Sequence, residues 1–198
     1  MKMTRACTCE WWLTNRVHWF NNKNYRASLY FKGDLLLLRD LFIFNDEYRE
    51  RYHDEVTTNE SLYYDNLPFI DCYRWSKDGN IGGAYITKNG CEVNLNGDFT
   101  TESISENGLK VNIQTNMGEI TVSFHEDSFE FMFPDSGFAL ESRIYNNTFA
   151  PVAVADGNAL NFSYREFTYS VKTDGVTESA DNGFIIKANG NRLTIKIK

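Results

Sequence analysis

Beyond Phe69 the chain is organised as short runs in which apolar and polar residues alternate. Apolar side chains occupy every second position in the sets Val111/Ile113, Ile120/Val122/Phe124, Phe129/Phe131/Phe133, Leu160/Phe162/Tyr164, Phe167/Tyr169/Val171, Phe184/Ile186 and Leu193/Ile195/Ile197. A period of two places alternate side chains on opposite faces of an extended chain. The pattern therefore predicts antiparallel strands with one buried face.

Turn signals separate these runs at short intervals. Asn-Gly or Asp-Gly pairs occur at positions 78–79, 89–90, 96–97, 107–108, 156–157, 174–175, 182–183 and 189–190. Such pairs favour tight hairpins. We therefore expect an all-β fold: one antiparallel β-sandwich domain over residues 1–198, of jelly-roll or super-sandwich type, with about a dozen or more strands.

The first part of the chain gives weaker signals of the same kind. Residues 1–24 favour an irregular strand pair, and residues 26–32 and 35–44 flank a predicted hairpin turn at Gly33-Asp34. The run Leu35–Leu38 is apolar on both faces. This pattern predicts a strand that is covered on both sides.

The segment from Arg39 to Trp75 differs from the rest of the chain because it has little regular period. It combines carboxylates, arginines, tyrosines and a histidine. Asn45 is a predicted N-cap for one or two helical turns, within a short helix and long loop insertion near residues 45–66. A long loop inside a compact domain is usually functional or mobile. We therefore expect a site in this segment.

The charge balance bears on partners and location. The chain has 20 Lys and Arg against 27 Asp and Glu, a net charge of -7, and its basic residues are scattered. This distribution argues against nucleic acid as a partner. No apolar run follows the N-terminus and none is long enough to span a bilayer. We expect no membrane partner and a cytoplasmic location.

Metal and cofactor motifs are weak or missing in the sequence. Cys7 and Cys9 could bind zinc together with a histidine, but their spacing matches no paired zinc motif, and packing as free thiols is the simpler interpretation. The chain has no Gly-rich phosphate loop, no G-x-S-x-G and no H-E-x-x-H. We expect neither a metal nor a cofactor.

Four residues are candidate catalytic groups. Asp71 lies between Ile70 and Cys72 in an apolar run, where an unpaired carboxylate is costly, and Asp65 precedes it. A sugar-active enzyme needs two such carboxyl groups, one of them protonated. His53 and Glu55 could form a second acid and base couple. The structural alternatives are a buried Asp–Arg ion pair for Asp71 and a solvated loop for the other residues.

Aromatic residues give the main indication of a ligand. The chain has 15 Phe, 11 Tyr and 4 Trp, and Tyr and Trp offer a flat apolar face with a polar edge that matches a sugar ring. The phenylalanines lie on the alternating faces and are predicted to be core. The candidate ligand-binding residues are Arg39, Tyr52, Tyr63, Tyr64, Arg74, Trp75 and Tyr85.

These observations lead to three functional hypotheses. The first is a carbohydrate-recognising sandwich, either a binding module or an accessory domain of a glycan-processing system. The second is a sugar-active hydrolase, lyase or isomerase that uses carboxylates of residues 39–75. The third is a barrel that binds an apolar small ligand. A protein partner or a homo-oligomer is also open, since Tyr, Trp and Arg are the usual interface anchors.

Overall fold

The computed structural model describes residues 7–11, 15–49 and 66–197, and strands account for most of them. The first nine strands are β1 (Cys7–Trp11), β2 (Asn15–Asn21), β3 (Tyr25–Lys32), β4 (Leu35–Ile43), β5 (Leu67–Asp71), β6 (Gly83–Lys88), β7 (Cys91–Glu92), β8 (Leu95–Ser105) and β9 (Gly108–Thr115). The other nine are β10 (Gly118–Phe124), β11 (Ser128–Met132), β12 (Phe138–Arg143), β13 (Val152–Asp156), β14 (Ala159–Tyr164), β15 (Phe167–Thr173), β16 (Val176–Ala180), β17 (Gly183–Lys187) and β18 (Arg192–Lys196). One short helix, α1 (Cys72–Trp75), follows β5.

The strands form two antiparallel sheets. The ten-stranded sheet has the order β1-β2-β3-β4-β6-β12-β17-β16, with β5 paired to β4 and β7 paired to β6. The eight-stranded sheet has the order β13-β14-β15-β18-β11-β10-β9-β8. The predicted all-β sandwich is confirmed. The closed barrel of the third hypothesis is not the observed arrangement, because the strands divide into two separate sheets.

Phenylalanine rings fill the space between the sheets. Phe20 of the ten-stranded sheet stacks on Phe124 of the eight-stranded sheet, with ring centroids 5.1 Å apart, and Phe69 meets Phe162 at 5.6 Å. These four side chains are almost fully buried. The prediction that the phenylalanines are core residues is confirmed for most of them, since the alternation turns every second residue of these strands inward, whereas Phe44, Phe99, Phe149 and Phe167 are half-buried.

The N-terminal strands agree with the sequence pattern. Strands β1 and β2 pair antiparallel, as predicted for residues 1–24, and β3 and β4 form the hairpin around Gly33-Asp34. Leu36 and Leu38 lie in the central core, whereas Leu37 is fully buried on the opposite face of the same strand. The prediction that this strand is covered on both sides is therefore confirmed.

Helical structure differs in position from the prediction. In the described part of the predicted helix, the chain makes a turn in which the Asn45 side chain accepts a hydrogen bond from the Glu47 N–H (2.9 Å). Residues 50–52 of that helix lie outside the described residues. The helix that does form is α1, where the chain leaves the ten-stranded sheet at Asp71. No helix in the described ranges is long and apolar enough to cross a membrane.

Candidate functional site

The pairing of β3, β4 and β5 places three polar side chains in one row. Asp40 on β4 lies opposite Ser28 of β3 on one side and opposite Asp71 of β5 on the other. Directly opposed residues of paired strands point to the same face of a sheet. This face is the outer one, because the adjacent Leu41 and Ile70 belong to the core between the sheets. Asp40 and Asp71 are 4% and 3% exposed, and we call them the buried carboxyl pair.

Each member of the buried carboxyl pair has its own donors. The Ser28 hydroxyl donates to Asp40 Oδ2 (2.9 Å), and Arg39 Nη1 lies 3.4 Å from the same oxygen. The Arg74 backbone N–H donates to Asp71 Oδ1 (3.0 Å), and Arg74 Nε lies 3.6 Å from Oδ2. The two predicted arginine partners therefore divide between the two carboxyl groups.

Burial favours the protonated form of both members of this pair. Desolvation raises the pKa of Asp40, and the Arg39 guanidinium and the Ser28 hydroxyl oppose this shift. Desolvation also raises the pKa of Asp71, with a further increase from the Asp40 charge, while the Arg74 backbone N–H and guanidinium lower it. Two facing carboxyl groups away from water favour a state in which one of them carries a proton.

The same outer face continues from the buried carboxyl pair towards β12. Tyr85 on β6 lies opposite Leu37 of β4 and opposite Glu141 of β12. Its hydroxyl donates to the Ile81 carbonyl (2.7 Å), and burial raises the pKa of Tyr85 to about 12. The Arg143 guanidinium lies over the Tyr85 ring, 4.0 Å from its centroid. Tyr85 thus connects the covered part of this face to the region around Arg143.

An open groove lies at the end of this face. It consists of two adjoining cavities of about 400 and 280 Å³ that share Tyr145, Ala180 and Asn182. We call it the Tyr145 groove. The larger cavity reaches the beginning of β13, and the smaller one lies over the outer side chains of β12 and β17.

Two backbone arrangements position the groove. Tyr145 and Asn146 donate their N–H groups to the Trp75 carbonyl at 2.8 and 2.9 Å, which ties this segment to the end of α1. At Gly183 the φ angle is 139°, and a Cβ would collide with Ser142 Oγ. Glycine at 183 therefore permits the close approach of β17 to β12 beneath the groove.

The groove combines an aromatic ring with hydrogen-bonding and charged groups. Tyr145 is 38% exposed, and Asn147, Asp181 and Asn182 are among the residues that line the larger cavity. In the smaller cavity Arg143 Nε donates to Glu141 Oε1 (2.9 Å). Such a set presents an apolar face together with donors and acceptors in several directions.

The structure brings some of the predicted site residues together. Asp71, Arg39 and Arg74 meet at the buried carboxyl pair, and Tyr85 lies further along the same sheet face. Trp75 is 0% exposed and packs in the core, so its indole presents no face to a ligand. The remaining predicted residues lie outside the described residues: Asp65, Glu55, His53, Tyr52, Tyr63 and Tyr64.

Sequence reasoning missed Asp40 as the partner of Asp71 and missed the whole Tyr145 groove. The pairing of Asp40 depends on the register of β4 and β5, which no local pattern encodes. For the groove one signal was present: Tyr145 is followed by Asn146 and Asn147 in an interval between alternating runs. A tyrosine beside amide side chains in a connecting segment is a reasonable indication of a ligand site.

The metal hypothesis concerns Cys7 and Cys9, whose side chains are outside the described part of the structure. Among the residues that are described, no three His, Cys, Asp or Glu side chains converge as a metal site. Cys72 is a buried thiol whose pKa is raised by burial and by the Asp40 charge. The expectation of no metal and no cofactor stays a prediction.

Comparison with known proteins gives one structural similarity. No protein-family model matches the sequence, and no curated protein matches it significantly. The fold is similar to the crystal structure of an active YidC insertase with its first transmembrane domain resolved, with a TM-score of 0.52 and 8% sequence identity. The similarity covers 98% of this chain and 40% of the insertase chain, so this chain spans about two fifths of that protein. At this identity the similarity shows the fold alone.

Proposed function

We propose that the protein recognises a carbohydrate and that the sugar binds in the Tyr145 groove. One observation carries this proposal: the exposed Tyr145 ring is shared by two adjoining cavities that amide and charged side chains line. The proposal keeps the ligand class that the aromatic content indicates. It moves the contact surface from residues 39–75 to residues 141–153 and 180–185.

The chemistry of the groove supports a sugar better than an apolar ligand. A pyranose ring has a C–H face that packs on an aromatic ring and a rim of hydroxyl groups that need donors and acceptors. Tyr145 supplies the ring, Asn147 and Asn182 supply amides, and Asp181 supplies an acceptor. The larger cavity, at about 400 Å³, falls in the range of small-molecule sites.

The buried carboxyl pair supports the groove from behind. Asp71 accepts the Arg74 N–H at the beginning of α1, and the Trp75 carbonyl at the end of α1 receives the N–H of Tyr145. Asp71 therefore acts as a positioning residue for the aromatic ring. Both carboxyl groups are almost fully buried. In this role they support the groove without contacting the bound sugar.

A thermal-shift screen over monosaccharides and oligosaccharides tests the proposal. We expect at least one sugar to raise the melting temperature of the wild-type protein and not that of Tyr145→Ala. Tyr73→Ala is the matched control, since Tyr73 is 77% exposed and lines neither cavity. An equal shift in Tyr145→Ala, or no shift of the wild type with any sugar, would contradict the proposal.

A second candidate function is catalysis on the bound sugar. The observation that favours it is the facing position of Asp40 and Asp71, because a pair in which one carboxyl group holds a proton and the other is ionised can supply an acid and a base in sugar-active enzymes. Any sugar that binds can be incubated with the protein and analysed for products. Product formation that Asp40→Asn abolishes, with sugar binding retained, favours the enzyme, and a sugar recovered unchanged favours the binding module.

A further inference from the structure

The Tyr145 groove contains more negative than positive charge. Among the residues that line its two cavities, Asp181 and Glu141 are acidic, and Arg143 alone is basic. Glu92, which lines neither cavity, forms an ion pair with Arg143 (2.5 Å). Three carboxylates therefore accompany one guanidinium in this region, so the groove should attract cations and repel anions.

The single guanidinium of the groove already binds two carboxylates. Arg143 Nε donates to Glu141 Oε1 (2.9 Å), and Arg143 Nη1 donates to Glu92 Oε1 (2.5 Å). Hydrogen bonds between a guanidinium and a carboxylate are among the stronger ones in proteins. A carboxylate or phosphate group of a ligand would have to compete with both glutamates for Arg143. This arginine is therefore a poor anchor for an anionic sugar.

Asp181 differs from the two glutamates because it has no cationic partner of this kind. It lies between β16 and β17, is exposed and lines the larger cavity. The nearby base on β17, Lys187, pairs with Glu178 instead. Asp181 forms no ion pair with any residue that the structure describes. It therefore places an uncompensated negative charge at the larger cavity.

We propose that the saccharide of the Tyr145 groove is an amino sugar with a free, protonated amine, and that Asp181 recognises its ammonium group. This inference rests on the proposed sugar site and adds the charge of the ligand to it. An ammonium group has three hydrogen-bond donors and no acceptor, which suits a groove rich in carboxylates. A uronic acid or a sugar phosphate would instead bring a second anion close to Asp181, and the two charges would repel each other.

NMR titrations with matched monosaccharides test the inference. For the gluco and the galacto series, the dissociation constants of the free amino sugar, the neutral hexose and the uronate are compared at a pH at which the amine is protonated. We expect the wild type to bind the amino sugar of one series about two- to five-fold more tightly than the neutral hexose, as for an exposed ion pair, and to bind the uronate most weakly. This preference should disappear in about 1 M salt, which screens exposed charges.

Asp181→Asn identifies the group that recognises the amine, because it removes the charge and keeps the size of the side chain. We expect this variant to bind the amino sugar and the neutral hexose with equal affinity. Asp34→Asn is the matched control, since Asp34 is exposed at the β3–β4 turn and lines neither cavity. It removes the same charge from the chain and should keep the wild-type preference for the amino sugar.

The possible outcomes separate this inference from the proposed function. A wild type that binds the hexose or the uronate at least as tightly as the amino sugar would overturn the inference and leave the sugar site standing. The same holds if Asp181→Asn keeps the preference, or if the wild type binds other sugars of the thermal-shift screen but neither amino sugar. If no sugar of that screen binds, the inference and the proposed function fail together.

Discussion

At the scale of single residues, burial and specific donors constrain the buried carboxyl pair. Asp40 and Asp71 have almost no exposure, and each depends on specific donors: Ser28 and Arg39 for one, Arg74 for the other. A buried ion pair is costly to form and more costly to break on one side. This arrangement makes stability dependent on the protonation of the pair.

The pH dependence of stability should therefore report on Asp40. Burial raises its pKa in the folded protein above the unfolded value, so the folded state binds more protons between these two pKa values. The free energy of unfolding gained through Asp40 is largest at low pH and is lost as pH rises through the folded pKa. We expect the free energy of unfolding of the wild type relative to Asp40→Asn, measured in urea titrations, to fall as pH rises above the unfolded value of about 4.

Asp98 provides a control of opposite sign. The Arg16 side chain lowers the pKa of Asp98 through a hydrogen bond, so its contribution is present above the unfolded pKa and is lost on acidification. The stability of the wild type relative to Asp98→Asn should rise with pH up to the unfolded value of about 4 and stay level above it. A rising difference for Asp40→Asn as well would show that burial does not control the Asp40 carboxyl group.

The importance of Asp71 was predictable because it is a lone acid between Ile70 and Cys72. Its partner was not, since Asp40 is 31 positions earlier (71 minus 40) and meets it only through the β4–β5 register. Trp75 shows the opposite limit. A tryptophan side chain suits a sugar-binding site and a hydrophobic core equally well. Only the packing of α1 shows that Trp75 belongs to the core.

At the scale of elements, the strands were predictable and the helix was not. The seven alternating runs of the sequence lie in strands of five to eight residues, for example β10 (Gly118–Phe124), and this pattern needs no tertiary information. Helix α1 has four residues, which is too few for a helical period to appear. Its only local signal is the capping residue Asp71, whose side chain accepts a hydrogen bond from the N–H of Arg74, three positions later.

The beginning of α1 should be sensitive to the loss of that cap. Asp71→Ala removes the oxygen that accepts the Arg74 N–H, at a cost of about 1 kcal/mol in free energy of unfolding, with a further loss from the broken ion pair. Asp71→Asn keeps a side-chain oxygen at the same place and should retain the cap. Chemical denaturation of both variants near neutral pH measures the difference.

If Asp71→Asn and Asp71→Ala lose the same stability, the ion pair with Arg74 matters and the cap does not. If neither variant loses stability, Asp71 contributes nothing to the position of α1. The account of how Tyr145 is held would then be wrong, because it depends on the Trp75 carbonyl at the end of this helix.

At the scale of the whole molecule, the proposed sugar-binding surface is assembled from distant parts of the sequence. The Tyr145 groove combines residues 141–153 with residues 180–185, which meet because β12 pairs with β17. Alternation identifies which face of a strand is buried, but it does not say which strands become neighbours. The sandwich could therefore be predicted from the sequence, whereas the groove could not.

The two ends of one sheet face have different roles in this account. Around Asp40 the outer face of the ten-stranded sheet is buried, and around Tyr145 it opens into cavities. The Arg143 guanidinium, stacked on Tyr85, lies between these two regions. In this account the region around Asp40 fixes the geometry of α1, and the region around Tyr145 is the proposed contact surface for the sugar. Substitutions around Asp40 should therefore affect the free energy of unfolding more than the choice of sugar.

An NMR titration with the sugar that gives the largest thermal shift tests the central claim most directly. Backbone amide chemical shifts report which residues sense the ligand. The account predicts that the largest changes fall on Tyr145, Asn147 and Asn182, with little change at Tyr73. Changes that concentrate at Tyr73 or elsewhere, and leave the Tyr145 groove unaffected, would contradict it.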